Sequence, residues 1–519
     1  MLLKFNLSGA LVFSVLTVSA GMAQNYELVI NNGRVIDPET GLDAIRNMAI
    51  EDGKIAAISE FPLDGETVID ATGKVVSPGF IDLHAHGQNI GDYRMQVMQG
   101  VTTSLELESG VLPIADWYDG QANKNLPVNY GAAAGWTFGR IATFTETDPQ
   151  ATAAYFQDAQ GHSHWKMDIA SPEQSEHIMS LVEQGLKDGA LGIGINAGYA
   201  PGYGQKEYFA LSELANAYNV PTFTHVRYAS NIEPQSSFEA IKELIANAAI
   251  TGAHMHLCHI NSTSLSDIKT TLALVEEAQA KGINVTTEAY PYGAANTVVG
   301  AAMFSGPDWR ERMSSTAENF QLGKDRMSEE ELADYQANKP GTFITWHFLD
   351  ETSPEDLALL DLSVTHPAAL VASDSVFWSY FDEDGNVQNY EGDEWPLPDN
   401  VFSHPRSAGT FAKILRSYVR ERGLMSLSEA IRKMSLMPAQ TLEKSVPQMR
   451  TKGRIQIGMD ADIVVFDPAT VADMATFEDA NKPAVGVQTV LVNGGFSVRN
   501  GDLVLDAPNG RPIRNAVAD

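Results

Sequence analysis

The sequence predicts an α/β protein, a (β/α)8 TIM barrel with a small β-sandwich domain formed by both chain termini. Three observations carry this. Short β-branched runs alternate with helical stretches through the middle of the chain, eight such strands can be counted, and both ends are strand-and-turn segments of another character. A chain of 519 residues is long for one domain, but barrels of this class run past about 250 residues as a single unit.

Residues 1–23 read as a leader: Lys4 is followed by a mostly apolar run from Leu7 to Val18, and Gly21-Met22-Ala23 precedes Gln24 as a small-residue cleavage site. A cleavable signal peptide, and with it export to a bacterial periplasm, is expected; an uncleaved anchor is the alternative. Residues 24–77 are short strands punctuated by Asn32-Gly33 and Asp52-Gly53, dipeptides that favour hairpin turns because both positions need positive φ. Residues 446–519 alternate in the same way, notably over Gly453–Asp467 and Val487–Val498, so the two ends are expected to complete one small β domain.

Between them, 78–445 is read as the barrel. Its strands are expected around Phe80–His84, Thr102–Leu107, Asn129–Ala134, Ala190–Ile195, Thr222–His225, His256–His259, Asn284–Ala289 and Ala369–Asp374. Helices are expected over Pro172–Asp188, Ser236–Ala248, Ser264–Lys281 and Ser426–Lys444, the last opening with a Ser426/Glu429 capping box. The stretch 293–367 is too long for a strand-to-helix connection and reads as an insertion or lid.

Composition narrows the function. With 35 basic and 66 acidic residues the net charge is −31, a field that repels a phosphate backbone, so nucleic acid is not an expected partner. No stretch after the leader is long and apolar enough for stable membrane insertion. The lone cysteine, Cys258, rules out an intramolecular disulfide and a Cys-rich zinc module, and it reads as a small core hydrophobe facing the barrel wall. A bound metal would be held by His, Asp, Glu or at most one thiolate.

Such side chains fall at strand ends. His84 and His86 stand at i and i+2, where alternation points both imidazoles the same way, and His225, His259 and Asp374 end three further strands. Barrel enzymes draw their catalytic groups from the C-terminal ends of several strands. His162 and His164 have ligand-like spacing but sit in a polar loop, His256 has the opposite parity from His259 and reads as structural, and the acidic run from Asp382 to Glu394 lacks the calcium-loop pattern.

The segments PGFIDLHAH (78–86), GVTT (100–103), GALGIGINAGYAPG (189–202), THVR (224–227), EAYPY (288–292), SD (373–374), SHPRSAGTF (403–411) and GRIQIGMDADIVVFD (453–467) resemble the amidohydrolase superfamily, in particular its N-acyl-D-amino-acid deacylase (D-aminoacylase) group. The resemblance implies His84, His86, His225 and His259 as zinc ligands and Asp374 as the metal-associated acid/base. It implies a metal-dependent amidohydrolase that cleaves N-acyl amino acids by attack of a zinc-bound hydroxide. Short peptides, cyclic amides or exogenous aryl amides are the alternatives within the superfamily, and a non-catalytic exported metal- or substrate-binding protein is the alternative from another class.

Three departures shape the expected site. The carboxylated lysine that bridges two metals in many relatives is missing, since Leu191–Gly202 holds no lysine, and the cysteine that closer deacylases carry after the second strand is replaced by Ser104-Leu-Glu106-Leu-Glu108. Glu108, nearer the strand end than Glu106, is the expected bridge between zinc ions, two rather than one. The lysine that grips an α-carboxylate two residues after His259 is Asn261 here, which leaves Arg406, Arg227, Tyr290 and Tyr292 with Asn261 as candidate substrate-binding residues.

Overall fold

A computed structural model describes residues 25–517; the leader expected at 1–23 lies outside the described residues. Strands Asn25–Asp37, Leu42–Glu51, Lys54–Ser59, Asp64–Asp70 and Val75–Pro78 join Ile463–Phe466, Val487–Val492, Gly495–Arg499 and Asp502–Leu503 in one nine-stranded sheet. The two ends of the chain meet where Val75–Pro78 pairs antiparallel with Ile463–Phe466. Leu28, Ile30, Met48, Ile50, Ile463 and Val465, drawn from both ends, share one core cluster. The small domain is therefore one continuous sheet rather than two separate ones.

Asp52-Gly53 makes the expected tight turn, with φ of 50° and 70°. Asn32-Gly33 does not. The strand Asn25–Asp37 runs straight through it, and the register slips between Ile30 and Gly33, so positive φ at Asn32 builds a β-bulge instead of a hairpin.

All eight barrel strands lie where the alternation placed them: Phe80–Asp82, Val101–Val111, Asn129–Gly135, Ile193–Asn196, Thr222–His225, Met255–Leu257, Val285–Ala289 and Ala369–Val371, each parallel to the next. First and last strands close the ring just past their ends, where Ala85 bridges Ser375 and the His86 N–H donates to the Ser375 carbonyl at 2.8 Å. Leu83, Leu105, Ala133, Leu191, Phe223 and Cys258 come from around the ring and converge in one cluster, the packed interior. Cys258 thus faces the interior and not the wall, because the chain turns sharply at His259, whose φ is 30°.

Helices Pro172–Lys187, Ser237–Thr251 and Ile268–Ala280 cover the strands as expected. The last predicted helix is interrupted: Leu427–Ile431 passes into a π-helical turn at Arg432–Leu436 before Met437–Leu442. Ser426 caps it by accepting from the Glu429 N–H, while the Glu429 side chain pairs with Arg432 at 2.8 Å rather than closing the box. The insertion between the seventh and eighth strands is a small subdomain with its own four-stranded sheet, Ala294–Val298, Phe320–Leu322, Asp325–Arg326 and Phe343–His347. Its core is edge-to-face packing of Phe304, Trp309, Phe320 and Trp346. It ends earlier than 367, because Pro354–Thr365 is already the helix that leads into the last strand.

Candidate metal centre

Six side chains expected from the sequence meet at one end of the barrel. His84 and His86 follow the first strand, Glu108 lies in the second, His225 ends the fifth, His259 follows the sixth and Asp374 follows the eighth. Asp374 and His259 both have positive φ, 52° and 30°. Such backbone is unfavourable for residues with a Cβ and is held only where the surroundings demand it. Gly198 leaves room for this arrangement: a Cβ there would lie 2.3 Å from the His225 ring.

Glu108 is the hub. Its Oε2 is 3.4 Å from Nε2 of His84 and of His86, and its Oε1 is 2.8 Å from His259 Nε2 and 3.1 Å from His225 Nδ1. The imidazoles face one another in pairs, His84 Nε2 with His86 Nε2 at 3.0 Å and His259 Nε2 with His225 Nδ1 at 3.2 Å. His84, His86 and Glu108 form one group with metal-ligand spacing, and Glu108, His225 and His259 form another. Asp374 Oδ1 is 3.4 Å from both His84 Nε2 and His86 Nε2.

The opposite ring nitrogens are anchored by residues whose roles the sequence reading missed. Glu288 Oε1 holds His84 Nδ1, and its Oε2 is 3.0 Å from His256 Nε2. Glu106, considered only as a rival bridge, instead takes His86 Nδ1 at 2.9 Å and Gln88 Nε2 at 3.2 Å. Ser262 and Thr263 hold His259 Nδ1 at 3.1 and 3.2 Å. Asn196, the last residue of the fourth strand, has its amide satisfied at both ends when Nδ2 donates to Glu108 Oε2 at 2.9 Å and Oδ1 accepts from Ser109 Oγ at 2.6 Å. Imidazoles fixed by a carboxylate or hydroxyl on one nitrogen and aimed into a common point with the other are the usual surroundings of a bound metal.

The electrostatics agree with that donor set. Burial opposes charge on His84 and His86, yet Asp374, Glu108 and Glu288 around the first and Glu106 beside the second push both well above the ordinary histidine value. Burial would raise the Glu108 carboxyl, but the imidazoles of His84, His225 and His259 hold it well below its usual range. The carboxylates thus favour positive charge at the His84–His86 pair, whereas burial pulls His225 down, and a divalent cation is a fitting source of charge among these donors.

The five candidate substrate-binding residues are placed differently. Arg406 is completely buried behind Asp374, with Nη2 2.8 Å from Asp374 Oδ1 and the guanidinium 4.9 Å over the Tyr290 ring. That ion pair lacks directed hydrogen-bond angles, and none of the guanidinium nitrogens has a hydrogen-bond partner. Asn261 faces away from the ligands and ties two loops together, donating to the carbonyls of Tyr290 at 3.0 Å and Tyr292 at 3.5 Å. Tyr292 packs against His404 and Phe477 with Lys413 over its ring. Arg227 lies beyond the strand end at His225, where alternation no longer governs direction, and it pairs with Glu243 at 2.8 Å over the Tyr203 ring. His162 and His164 are exposed, as expected.

A cavity of about 970 Å³ opens from Glu108, His225, His259 and Asp374 and is bounded in part by the insertion.

Residues 67–360 and 262–498 match the sequence profile of the amidohydrolase family. The chain is 27% identical over 501 residues to a D-aminoacylase of Alcaligenes xylosoxydans xylosoxydans, covering 92% of this chain and 95% of that protein. It is 25% identical over 507 residues to an N-acyl-D-glutamate deacylase of the same organism, covering 91% and 94%. Its fold superimposes with a TM-score of 0.72 and 22% identity on a crystal structure of N-acyl-D-glutamate deacylase from Bordetella bronchiseptica complexed with zinc and a phosphonate inhibitor, over 95% of this chain and 100% of that one.

Proposed function

We propose, from the premise that this chain belongs to the amidohydrolase family, that it is a metal-dependent deacylase of N-acyl amino acids of the D-aminoacylase type. The observation that carries the reading is the pair of three-residue groups sharing Glu108, with Asp374 beside the first. His84, His86 and Glu108 would hold one ion and Glu108, His225 and His259 a second, with zinc the ion expected for such nitrogen and oxygen donors. An ion held there supplies Lewis acidity, polarising the scissile carbonyl and making water acidic enough to attack near neutral pH.

The chain's own groups do the rest. Asp374 takes the proton of the attacking water and returns it to the departing amine, which requires an ionised carboxylate. Burial would raise its pKa, but Arg406 and His84 more than offset this and hold it below the ordinary value. The guanidinium of Arg406 is completely buried behind Asp374 and lines no part of the cavity, so it braces that carboxylate instead of gripping the substrate as expected from the sequence. Asn261, Tyr290 and Tyr292 shape that corner from behind, and Arg227, neutralised by Glu243, takes no part. Export is part of the same reading, resting on residues 1–23 alone; N-terminal sequencing of the protein recovered from the periplasm tests it.

The enzymatic reading is tested by amine release from matched N-acyl-D and N-acyl-L amino acids, dipeptides and lactams with the zinc-loaded protein. Turnover of the D series first is the expected result. Turnover of lactams or dipeptides without any N-acyl amino acid would move the protein to another amidohydrolase class.

A further inference from the structure

With Arg406 held behind Asp374, we infer that Lys124 is the specificity-determining residue that receives a carboxylate of the substrate at the wall of the metal-centre cavity. The inference rests on the deacylase reading and deepens it by naming the contact for the substrate's negative charge. An N-acyl amino acid is an anion, and it enters a chain of net charge −31 past a wall that holds Glu106, Glu108, Asp116, Asp374 and Glu391. Metal at the histidines acts on the scissile carbonyl, so a carboxylate elsewhere on the molecule needs a donor of its own. Among the described residues Lys124 is the only lysine or arginine in the cavity lining.

Lys124 lies two residues past the helix Ile114–Ala122 and is exposed, yet it is tied down. Its Nζ donates to the Gln88 carbonyl at 3.2 Å, and Gln121 Nε2 donates to the same carbonyl at 3.3 Å. Gln88 is in turn fastened through both ends of its side chain. Its Oε1 accepts from Trp117 Nε1, and its Nε2 donates at 3.2 Å to Glu106 Oε2, the oxygen that lies 2.9 Å from Nδ1 of the ligand His86. Lys124, Gln88, Trp117 and Gln121 all line the cavity. The ammonium is therefore mounted on the loop that leaves the first barrel strand, and Gln88 and Glu106 connect it to the metal centre.

This ammonium also has donors to spare. It carries three N–H groups, and the Gln88 carbonyl takes one of them. Asp92 and Glu391 are the acids near enough to act on it, but neither forms an ion pair with it. Desolvation by the surrounding wall lowers its pKa and the two acids only partly offset this, as expected of a cation short of a counter-ion. Asp92 supplies little of the missing charge near neutral pH, because burial pushes its own carboxyl up to about 7. Other basic side chains on nearby loops are already claimed: Arg227 by Glu243 at 2.8 Å and Lys413 by Glu351 at 3.2 Å. A carboxylate in the cavity would complete Lys124 with a charge-assisted hydrogen bond.

The carboxylate can sit on the α-carbon, the side chain or the acyl group, and three substrates with one carboxylate each distinguish these sources. They are N-acetyl-D-leucine, N-acetyl-D-isoglutamine and N-succinyl-D-leucinamide, with N-acetyl-D-leucinamide as the uncharged reference. Lys124→Met should lower kcat/KM about tenfold or more, mainly through KM, on the substrate whose carboxylate Lys124 meets, and less than about threefold on the reference. Lys124→Arg, which keeps the charge, should recover most of that loss. The position is exposed, and turnover of the reference reports a folded enzyme. A loss of similar size on all four substrates, or a loss under about threefold on every carboxylate, overturns the inference and leaves the deacylase reading standing. No hydrolysis of any of the four by the zinc-loaded parent overturns both.

Discussion

Glu288 Oε1 lies 2.5 Å from His84 Nδ1, a contact between residues 204 positions apart that fixes which nitrogen His84 turns toward Glu108 and Asp374. The other Glu288 oxygen rests on His256, so the histidine that alternation reads as structural anchors this carboxylate. Outer carboxylates of this kind typically change metal affinity about 10- to 100-fold when removed. Glu288→Gln should weaken zinc binding by that order in competition with a chromogenic chelator. Unaltered affinity would show that His84 is oriented without it.

Glu108 touches both histidine pairs, so it should decide how many ions the site holds. Two cations roughly 4 Å apart need a shared anion to offset their repulsion. Elemental analysis should find two zinc ions per chain in the parent and one or none in Glu108→Ala. One ion in both would contradict the bridge.

Asn196 stands at the end of the fourth barrel strand and its amide keeps one Glu108 oxygen in place. A hydrogen bond to a charged group is worth about 1.5–3 kcal/mol. Asn196→Leu should therefore lower kcat or the affinity for the more weakly held ion by roughly tenfold or more, with KM changing less. A change in KM alone would make Asn196 a substrate contact instead.

Arg406 is completely buried behind Asp374 and lies outside the cavity lining, so it is expected to hold Asp374 ionised and not to meet substrate. Arg406→Met should cost roughly 2–5 kcal/mol in kcat/KM, about thirtyfold or more, equally on an N-acyl amino acid and on its neutral amide counterpart. A smaller loss on the neutral amide would make the arginine a substrate contact.

Asp92 provides a pH test of stability away from the ligands. It is buried and accepts from the Asn89 N–H at 2.8 Å, and burial pushes its carboxyl up to about 7, with the Asn89 bond and Lys124 only partly offsetting. An unfolded aspartate titrates near 4, so between about pH 4 and 7 the folded state binds more protons and stability falls as pH rises. Asp92→Asn removes the ionisation and keeps an acceptor. Its melting temperature relative to the parent should be higher at pH 8 than at pH 5; the same difference at both would show that Asp92 does not ionise in this range.

The barrel was legible because local rules set it: runs of strand residues, and parity that carried His84 and His86 to one side. His225 was legible because it ends a strand, and His259 and Asp374 because they lie only two and three residues past theirs. Glu288, Glu106 and Asn196 were not assigned their roles, because those depend on contacts across the ring that no local pattern encodes. Arg227 misled for the opposite reason, since it adjoins a ligand in sequence but lies past the strand end, where Glu243 claims it. Asn32-Gly33 has the composition of a turn, but pairing of the whole strand Asn25–Asp37 with its neighbour absorbed it as a bulge.

The central claim is that hydrolysis depends on metal held by the histidines around Glu108. Its most direct test is to strip the protein with a chelator, measure hydrolysis of an N-acyl-D-amino acid, and titrate zinc back while following activity and bound metal together. Loss of activity on stripping and its return as zinc binds, with His225→Ala failing to recover, is the result predicted here. Full hydrolysis by the stripped chain would contradict it.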